Sequence, residues 1–157
     1  MKKKIIIGIL AIIVIALTSA VTYAVNSGIM SKKTTPSDYK VGVSYDTAMN
    51  GDKPVVALFY VDWCGYCLRF MPRFKTLESL YKNKYNFLMI NVEDPSKAEL
   101  VNDVAITGYP TVYVIDPKYD NRFLLNNAIY MDLSKFRKEL DRYLKVRIKL
   151  DKSAICN

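Results

Sequence analysis

The feature that most restricts how this chain can fold is an apolar run, VVALFYV at residues 55–61, which directly follows Lys53-Pro54. Seven residues are too few for a typical helix, and the run is rich in residues that favour strands. We therefore predict a strand that is buried on both faces. After it, apolar residues recur at intervals of three and four and predict one buried helical stripe. The stripe consists of Cys67, Phe70, Phe74, Leu77 and Tyr81.

Three later segments are candidate strands. FLMINV at residues 87–92 and TVYVI at 111–115 are short apolar runs like the first. Residues 116–121 have the composition of a turn. Residues 124–129 are a weaker candidate for a fourth strand.

Two further helices are indicated by their capping residues. Ser96 is the predicted cap of a helix at residues 96–104, with Glu99 three positions on as in a capping box. Asp132 is the predicted cap of a last helix. Its apolar residues Leu133, Phe136, Leu140, Tyr143 and Leu144 share one face. Strands that alternate with helices predict an α/β fold, with a right-handed βαβ unit in the first half.

The N-terminus has the pattern of a membrane-targeting segment. Three lysines at residues 2–4 precede an uncharged apolar stretch at 5–25, long enough to cross the hydrocarbon core as a helix of roughly 30 Å. Residues 1–25 are therefore predicted to be a signal anchor or a cleaved signal peptide, with the rest of the chain exported. We expect a linker at 26–40, a folded domain at 41–147 and a tail at 148–157.

Charge and composition exclude several classes of function. The net charge is +8, but residues 34–144 hold fourteen bases and fourteen acids, so the excess lies near the ends of the chain. This distribution argues against nucleic-acid binding by the folded part. The chain has no histidine, which excludes Ser-His and Cys-His nucleophile pairs and disfavours the common zinc sites. We predict no metal site.

Two cysteines carry the predicted chemistry. Cys64 and Cys67 flank Gly65-Tyr66 at the junction between the first strand and the helix that follows. A thiol at a helix N-terminus is stabilised as the thiolate, which is the form that attacks a disulfide. Cys67 lies on the apolar stripe and is the predicted resolving thiol. A zinc site and a purely structural disulfide remain alternatives at this point.

The segment VDWCGYC at residues 61–67 resembles the active site of the thioredoxin superfamily, in particular its membrane-associated, exported members. Pro72 matches the proline that kinks the active-site helix, and Tyr109-Pro110-Thr111 matches the cis-proline turn. Asn91-Val92-Glu93 is similar to a strand end in this family, and the resemblance covers residues 44–143. It implies a thioredoxin fold, a central mixed β-sheet flanked by helices, here preceded by a hydrophobic N-terminal helix.

The resemblance also implies an enzyme, a thiol–disulfide oxidoreductase that exchanges disulfides with exported cysteine-containing proteins. Its only redox group would be the Cys64–Cys67 disulfide, without a further cofactor. The residues that would bind substrate are Trp63, Gly65, Tyr66, Tyr109, Pro110 and Thr111. We expect the catalytic domain outside the cytoplasmic membrane, on a single-pass anchor, or secreted if residues 1–25 are removed. A membrane electron donor or acceptor would be the second partner.

The sequence departs from the family at positions that affect the redox potential. Leu58 and Met89 stand where cytoplasmic thioredoxins have a buried aspartate and a lysine, and Tyr66 replaces a proline between the cysteines. The sequence is therefore compatible with any reduction potential of the dithiol between about −270 and −120 mV. We favour the reductase direction, with an oxidase or isomerase, or a redox-inert binding module, as alternatives.

The roles of several other residues are less constrained. Asp62 and Glu93 are the acids expected near the dithiol, although Asp62 can equally be a solvated loop carboxylate. Trp63 is expected to flank the dithiol, partly buried. The segment LKVRIKL at 144–150 fits an edge strand, a frayed helix end or a basic patch on anionic lipid. Cys156 is either an intermolecular disulfide partner or an unused thiol. Tyr113, Tyr119 and Tyr130 are expected to be packing residues.

Overall fold

The computed structural model describes residues 2–26, 34–104 and 106–155, so Cys156 lies outside the described residues. The chain divides into two compact units, Met1–Thr34 and Thr35–Asn157. The first unit contains one helix, α1 (Lys2–Asn26). Its segment Lys3–Tyr23 is long and apolar enough to cross a membrane and none of it is buried, properties that a signal sequence shares.

The second unit is a four-stranded mixed sheet with helices on both faces, which confirms the predicted fold class. The strands are β1 (Val55–Tyr60), β2 (Asn86–Asn91), β3 (Thr111–Asp116) and β4 (Asn121–Leu124), in the spatial order β2-β1-β3-β4. β1 pairs with β2 in parallel, whereas β3 is antiparallel to both β1 and β4. The helices are α2 (Tyr45–Met49), α3 (Gly65–Tyr81), α4 (Ala98–Asn102), α5 (Asn127–Tyr130) and α6 (Leu133–Ile155).

β1 is the centre of the core and is buried along its whole length, as its apolar run predicts. Val56 and Leu58 face one cluster, which includes the buried residues of α3 and α6. Ala57 and Phe59 face a second cluster, which includes α2 and α4. All five residues of the predicted stripe on α3 are buried. Because both faces of β1 are covered, alternation between apolar and polar residues is absent from its sequence.

Two expected elements differ from the structure. The candidate strand at 124–129 is wrong, since β4 ends at Leu124 and the side chain of Asn126 accepts the N–H of Ala128 to begin α5. Ser96 is not the cap of its helix. Asp94 accepts the N–H of Ser96, and a 3₁₀ turn at Pro95–Lys97 leads into α4. In both places a short polar side chain caps the backbone, Asn126 within the candidate strand and Asp94 two residues before the expected cap.

The ends of the folded unit also extend beyond the expected boundaries. The sequence predicts a linker that includes residues 35–40, but Pro36 is buried in a 3₁₀ turn, Pro36–Asp38. The expected tail at 148–157 continues α6 to Ile155, which excludes an edge strand at 144–150. Within this part of α6, Asp151 accepts hydrogen bonds from Lys118 and Tyr119, at 2.5 and 2.6 Å.

A buried ion pair fastens α6 to the end of β3. The carboxylate of Asp116 is fully buried, and its Oδ2 lies 2.9 Å from Arg147 Nε. The Nε–H is not aligned for a hydrogen bond, so this contact is electrostatic. The hydroxyl of Tyr143 donates to the same oxygen at 2.9 Å, and Arg147 also donates to the carbonyl of Asp52. Burial, and then the bond to Asp116, raise the pKa of Tyr143 to about 12, so it remains a donor at neutral pH.

Candidate active site

Cys64 and Cys67 lie where β1 passes into α3. Cys64 is the N-cap of the helix, and its Sγ accepts the backbone N–H of Cys67 at 3.2 Å. Cys64 is 7% exposed and Cys67 is fully buried. Cys64 is thus the more accessible of the two thiols, and it lies at the N-terminus of a helix of 17 residues, where the helix dipole favours negative charge. The assignment of Cys64 as the nucleophile and Cys67 as the resolving thiol stays a prediction.

Burial raises the pKa of the Cys67 thiol to about 12, and its hydrogen bond with Cys64 adds to the increase. In a Cys64→Ala/Cys156→Ser variant burial, the largest cause, remains, so iodoacetamide should alkylate Cys67 slowly. We expect the rate to rise about tenfold per pH unit between pH 7 and 10 without a plateau, because the thiolate fraction follows pH below the pKa. The measurement is mass spectrometry of timed samples.

The same variant in urea is the control for this prediction. An unfolded cysteine has a pKa near 8.5, so its alkylation rate should level off above about pH 9.5. A plateau below that pH in the folded protein would show that the interior does not suppress ionisation of Cys67.

The turn that precedes β3 lies against Cys64. The Tyr109–Pro110 peptide bond is cis, as the resemblance implies. The thiol of Cys64 lies 3.6 Å from the carbonyl oxygen of Tyr109, to which it donates. Thr111 is buried, and its hydroxyl donates to the carbonyl of Gly108 at 2.7 Å, which closes the turn. The structure therefore brings Tyr109, Pro110 and Thr111 to the dithiol.

Tyr130 belongs to the site, although the sequence predicts only a packing role for it. Its hydroxyl donates to the carbonyl of Pro110 at 2.6 Å and is buried. Burial raises the pKa of this phenol, and the neighbouring Cys67 and Cys64 add to the increase. An open cavity of about 420 Å³ lies beside these residues, between the proline turn and α5. No periodic signal marks Tyr130, because one hydroxyl contact leaves no pattern in the sequence.

Trp63 is more exposed than expected. Its side chain is 67% exposed rather than partly buried, and its ring packs edge-on against Tyr109 with centroids 6.0 Å apart. The indole N–H donates to Glu93 Oε1 at 2.8 Å. The contact places Glu93, one of the two expected acids, at the rim of the site.

Tyr66 and Gly65 lie on the open side of the dithiol. Tyr66 is 62% exposed, and the guanidinium carbon of Arg69 lies 4.9 Å from the centre of its ring. Gly65 is exposed, and a Cβ there would meet no atom within 4 Å. Together with Trp63, the Tyr66 ring gives the rim an apolar, accessible surface.

Asp62 is bound to the N-terminal turn and is not the solvated carboxylate considered above. It accepts the backbone N–H of Ser37 at 3.0 Å and the Ser37 hydroxyl at 2.9 Å. The Ser37 hydroxyl also lies 2.9 Å from the Tyr60 hydroxyl. The turn at Pro36–Asp38 thus holds the loop that carries Trp63 and Cys64. Ser37 was missed because it lies in a Ser- and Thr-rich stretch typical of a linker.

Comparison with known proteins identifies the family. The thioredoxin family model matches residues 33–129, which include the dithiol and the proline turn. The chain belongs to the thioredoxin family. The Trx4 domain of ERdj5 has the same fold, with a TM-score of 0.53 and 19% identity over 72% of this chain and 94% of that one.

Two proteins illustrate the relatives to which this thioredoxin-family chain is similar in sequence. The chloroplastic thioredoxin-like protein HCF164 of Arabidopsis thaliana is 31% identical over 66% of this chain and 38% of its own length. The protein disulfide-isomerase of Saccharomyces cerevisiae is 36% identical over 46% of this chain and 14% of its own length. The chain thus spans well under half the length of these relatives. The family and these names support thiol–disulfide oxidoreductase chemistry in general terms.

Beneath the dithiol, the interior of this thioredoxin-family protein is apolar. Leu58 in β1 is fully buried and pairs with Met89 in β2. Both are the apolar replacements noted from the sequence. Within residues 2–26, 34–104 and 106–155, no three Cys, Asp or Glu side chains are grouped so that they could hold a metal ion.

Proposed function

We propose that this protein is a thiol–disulfide oxidoreductase in which Cys64 is the nucleophile and Cys67 the resolving thiol. The observation that carries the proposal is the position of Cys64. Its sulfur caps α3, accepts the Cys67 N–H at 3.2 Å and lies beside the carbonyl of Tyr109. A thiolate at this point is stabilised by the helix N-terminus and can be reached by a disulfide.

In the reductase direction, the reaction proceeds in two exchanges. The Cys64 thiolate attacks one sulfur of a substrate disulfide, forms a mixed disulfide and releases one substrate thiolate. Cys67, after losing its proton, attacks the Cys64 sulfur and releases the second substrate thiolate. The substrate gains two electrons and the protein becomes the Cys64–Cys67 disulfide, without a cofactor. An electron donor at the membrane must then reduce it again.

The proline turn is the proposed docking site for the substrate chain. Tyr109, Pro110 and Thr111 lie next to Cys64, and their backbone can pair with an extended segment by strand addition. Tyr130 supports this turn from inside through its bond to Pro110. Trp63, Gly65 and Tyr66 form the exposed rim that contacts the residues around a substrate cysteine.

We further propose that the domain acts outside the cytoplasmic membrane on exported cysteine-containing proteins. The support is the apolar span Lys3–Tyr23, which follows a cluster of lysines. Basic residues before a span favour a cytoplasmic N-terminus, so the following domain would be exported. The span is either retained as a single-pass anchor or removed as a signal peptide.

An isomerase or oxidase is the second candidate, and two observations favour it. Protein disulfide-isomerases are among the relatives, and Tyr66 stands between the cysteines. The chemistry is the same, but the more oxidising potential would favour disulfide donation or rearrangement. A redox-inert binding module is the remaining alternative.

Insulin reduction by the full chain in detergent tests the function, with dithiothreitol as the electron source. The parent should accelerate the reaction strongly, whereas Cys64→Ala should be no faster than dithiothreitol alone. Equal rates for the two proteins would indicate a redox-inert module. The reduction potential then decides the direction. A value below about −230 mV favours a reductase, and one near −180 mV favours an isomerase.

A further inference from the structure

The outer face of α6 carries a continuous row of basic side chains that the redox chemistry does not use. The row, here called the basic stripe, consists of Lys135, Lys138, Arg142, Lys145, Lys149 and Lys152. These residues recur at intervals of three and four, so they lie along one side of the helix over about 25 Å. All six side chains are exposed.

The basic stripe is the side of α6 that points away from the core. Phe136, Leu140 and Tyr143 are buried against the sheet and α3. At about 100° per residue, the centre of the stripe lies on the opposite side of the helix from these three residues. Packing of the domain therefore leaves the stripe open to a partner.

The charge of the stripe is only partly compensated. Glu139 pairs with Arg142 at 2.5 Å. Asp141, at the other border, accepts the hydroxyl of Tyr81 at 3.0 Å. Asp151 is turned to the other side and binds Lys118. Most of the positive charge of the stripe therefore faces solvent, although residues 34–144 hold equal numbers of bases and acids.

Apolar side chains accompany this charge. Ile148 is 54% exposed and Val146 is 40% exposed, and they flank the stripe on either side of Lys145 and Lys149. Exposed apolar side chains beside a basic helix face add to its attraction to a membrane interface.

We infer that the basic stripe of α6 binds the anionic headgroups of the bilayer to which the chain is attached. The inference rests on the membrane attachment proposed above. A bilayer that holds Lys3–Tyr23 confines the domain to its vicinity, because residues 24–34 extend to at most about 40 Å. The headgroups of anionic lipids are a source of negative charge within that distance, and they complement the stripe in charge.

Contact along the stripe would orient the domain on the bilayer. α6 would lie parallel to the surface. Phe136, near the start of the helix, stacks on Phe70 in the active-site helix, with ring centroids 6.5 Å apart. Arg147, near its other end, binds Asp116 at the end of β3 far from the proline turn. The dithiol would therefore face sideways along the membrane, open to partners at its surface.

Lysine acylation on lipid nanodiscs tests the inference with the full chain. The chain is inserted into discs of phosphatidylcholine alone, or with about 30% phosphatidylglycerol, and labelled briefly before mass spectrometry. On the anionic discs Lys138, Lys145 and Lys149 should react at least about threefold more slowly. The protection should disappear at about 0.5 M NaCl, because salt screens the attraction. Lys97, which lies over Tyr45 on the other face of the sheet, should be unaffected.

Two variants with the same change in net charge sharpen the test. K138E/K145E/K149E should react at Lys135 and Lys152 equally on both discs. K75E/K82E/K97E, which alters bases outside the stripe, should keep the protection.

Equal reactivity of the parent on both discs, or equal slowing of Lys97, would overturn the inference. Protection by polyglutamate but not by anionic discs would assign the stripe to an acidic protein instead. Loss of the chain from both discs after a high-salt wash would refute the membrane anchor and the inference together. Insulin reduction reports on the redox function separately.

Discussion

Replacing Cys67 with alanine should convert the protein into a trap that holds its substrates through Cys64. The sulfur of Cys64 keeps its donor in this variant, because the bond at 3.2 Å comes from the backbone N–H of residue 67 and not from the thiol. Cys64 can therefore still attack, but the mixed disulfide has no internal thiol to resolve it. We expect adducts to increase by about tenfold or more over the parent, since resolution is lost while attack remains.

Adducts are measured after acid quenching on non-reducing gels, with Cys156→Ser in every variant so that the third cysteine cannot contribute. Cys64→Ala is the matched control and should trap few partners, because Cys67 is fully buried and its burial raises the pKa of the thiol. Comparable trapping by the two single variants would show that the assigned roles are wrong. Trapping by neither, together with inactive parent protein, would favour the redox-inert module.

Replacing Asp116 with alanine should destabilise the domain much more than replacing an exposed charged residue such as Asp103. The change leaves the guanidinium of Arg147, which is only 13% exposed, without its counter-charge, and removes the acceptor of the Tyr143 hydroxyl. Removing one partner of a buried ion pair lowers the free energy of unfolding by about 3–5 kcal/mol. The free energy of unfolding is measured by denaturant titration, followed by fluorescence of Trp63, the only tryptophan.

The exposed ion pair between Arg122 and Asp103 provides the control for this prediction. Its atoms are 3.3 Å apart, and both side chains are more than half exposed. Asp103→Ala should therefore change stability by no more than about 1 kcal/mol. Adding Arg147→Met to Asp116→Ala should restore part of the loss, because the unpaired charge is gone. An Asp116→Ala variant as stable as the parent would mean that the pair does not hold α6 in place.

Two of the errors in the expected elements occur where a single polar side chain decides the local structure. LLNNAI at 124–129 has the apolar content of a strand, yet Asn126 caps the short helix α5. A Ser- and Thr-rich segment is typical of a linker, yet Ser37 binds Asp62. In both places the composition of the segment fits the expected element. It does not reveal the hydrogen-bond partner, which lies elsewhere in the fold for Ser37 and on the neighbouring backbone for Asn126.

By itself, the sequence determined the order of β1, α3, β2, α4, β3 and α6 and the position of the dithiol between β1 and α3. These features are local, because apolar periodicity and the Cys-x-x-Cys spacing act over a few neighbouring residues. Only the tertiary structure decided which distant residues complete the site. Tyr130 reaches Pro110 from 20 positions away, Ser37 reaches Asp62 from 25, and Glu93 reaches Trp63 from 30. Each contact is one hydrogen bond between residues that the packing of the sheet brings together, and a single bond has no period that a sequence could display.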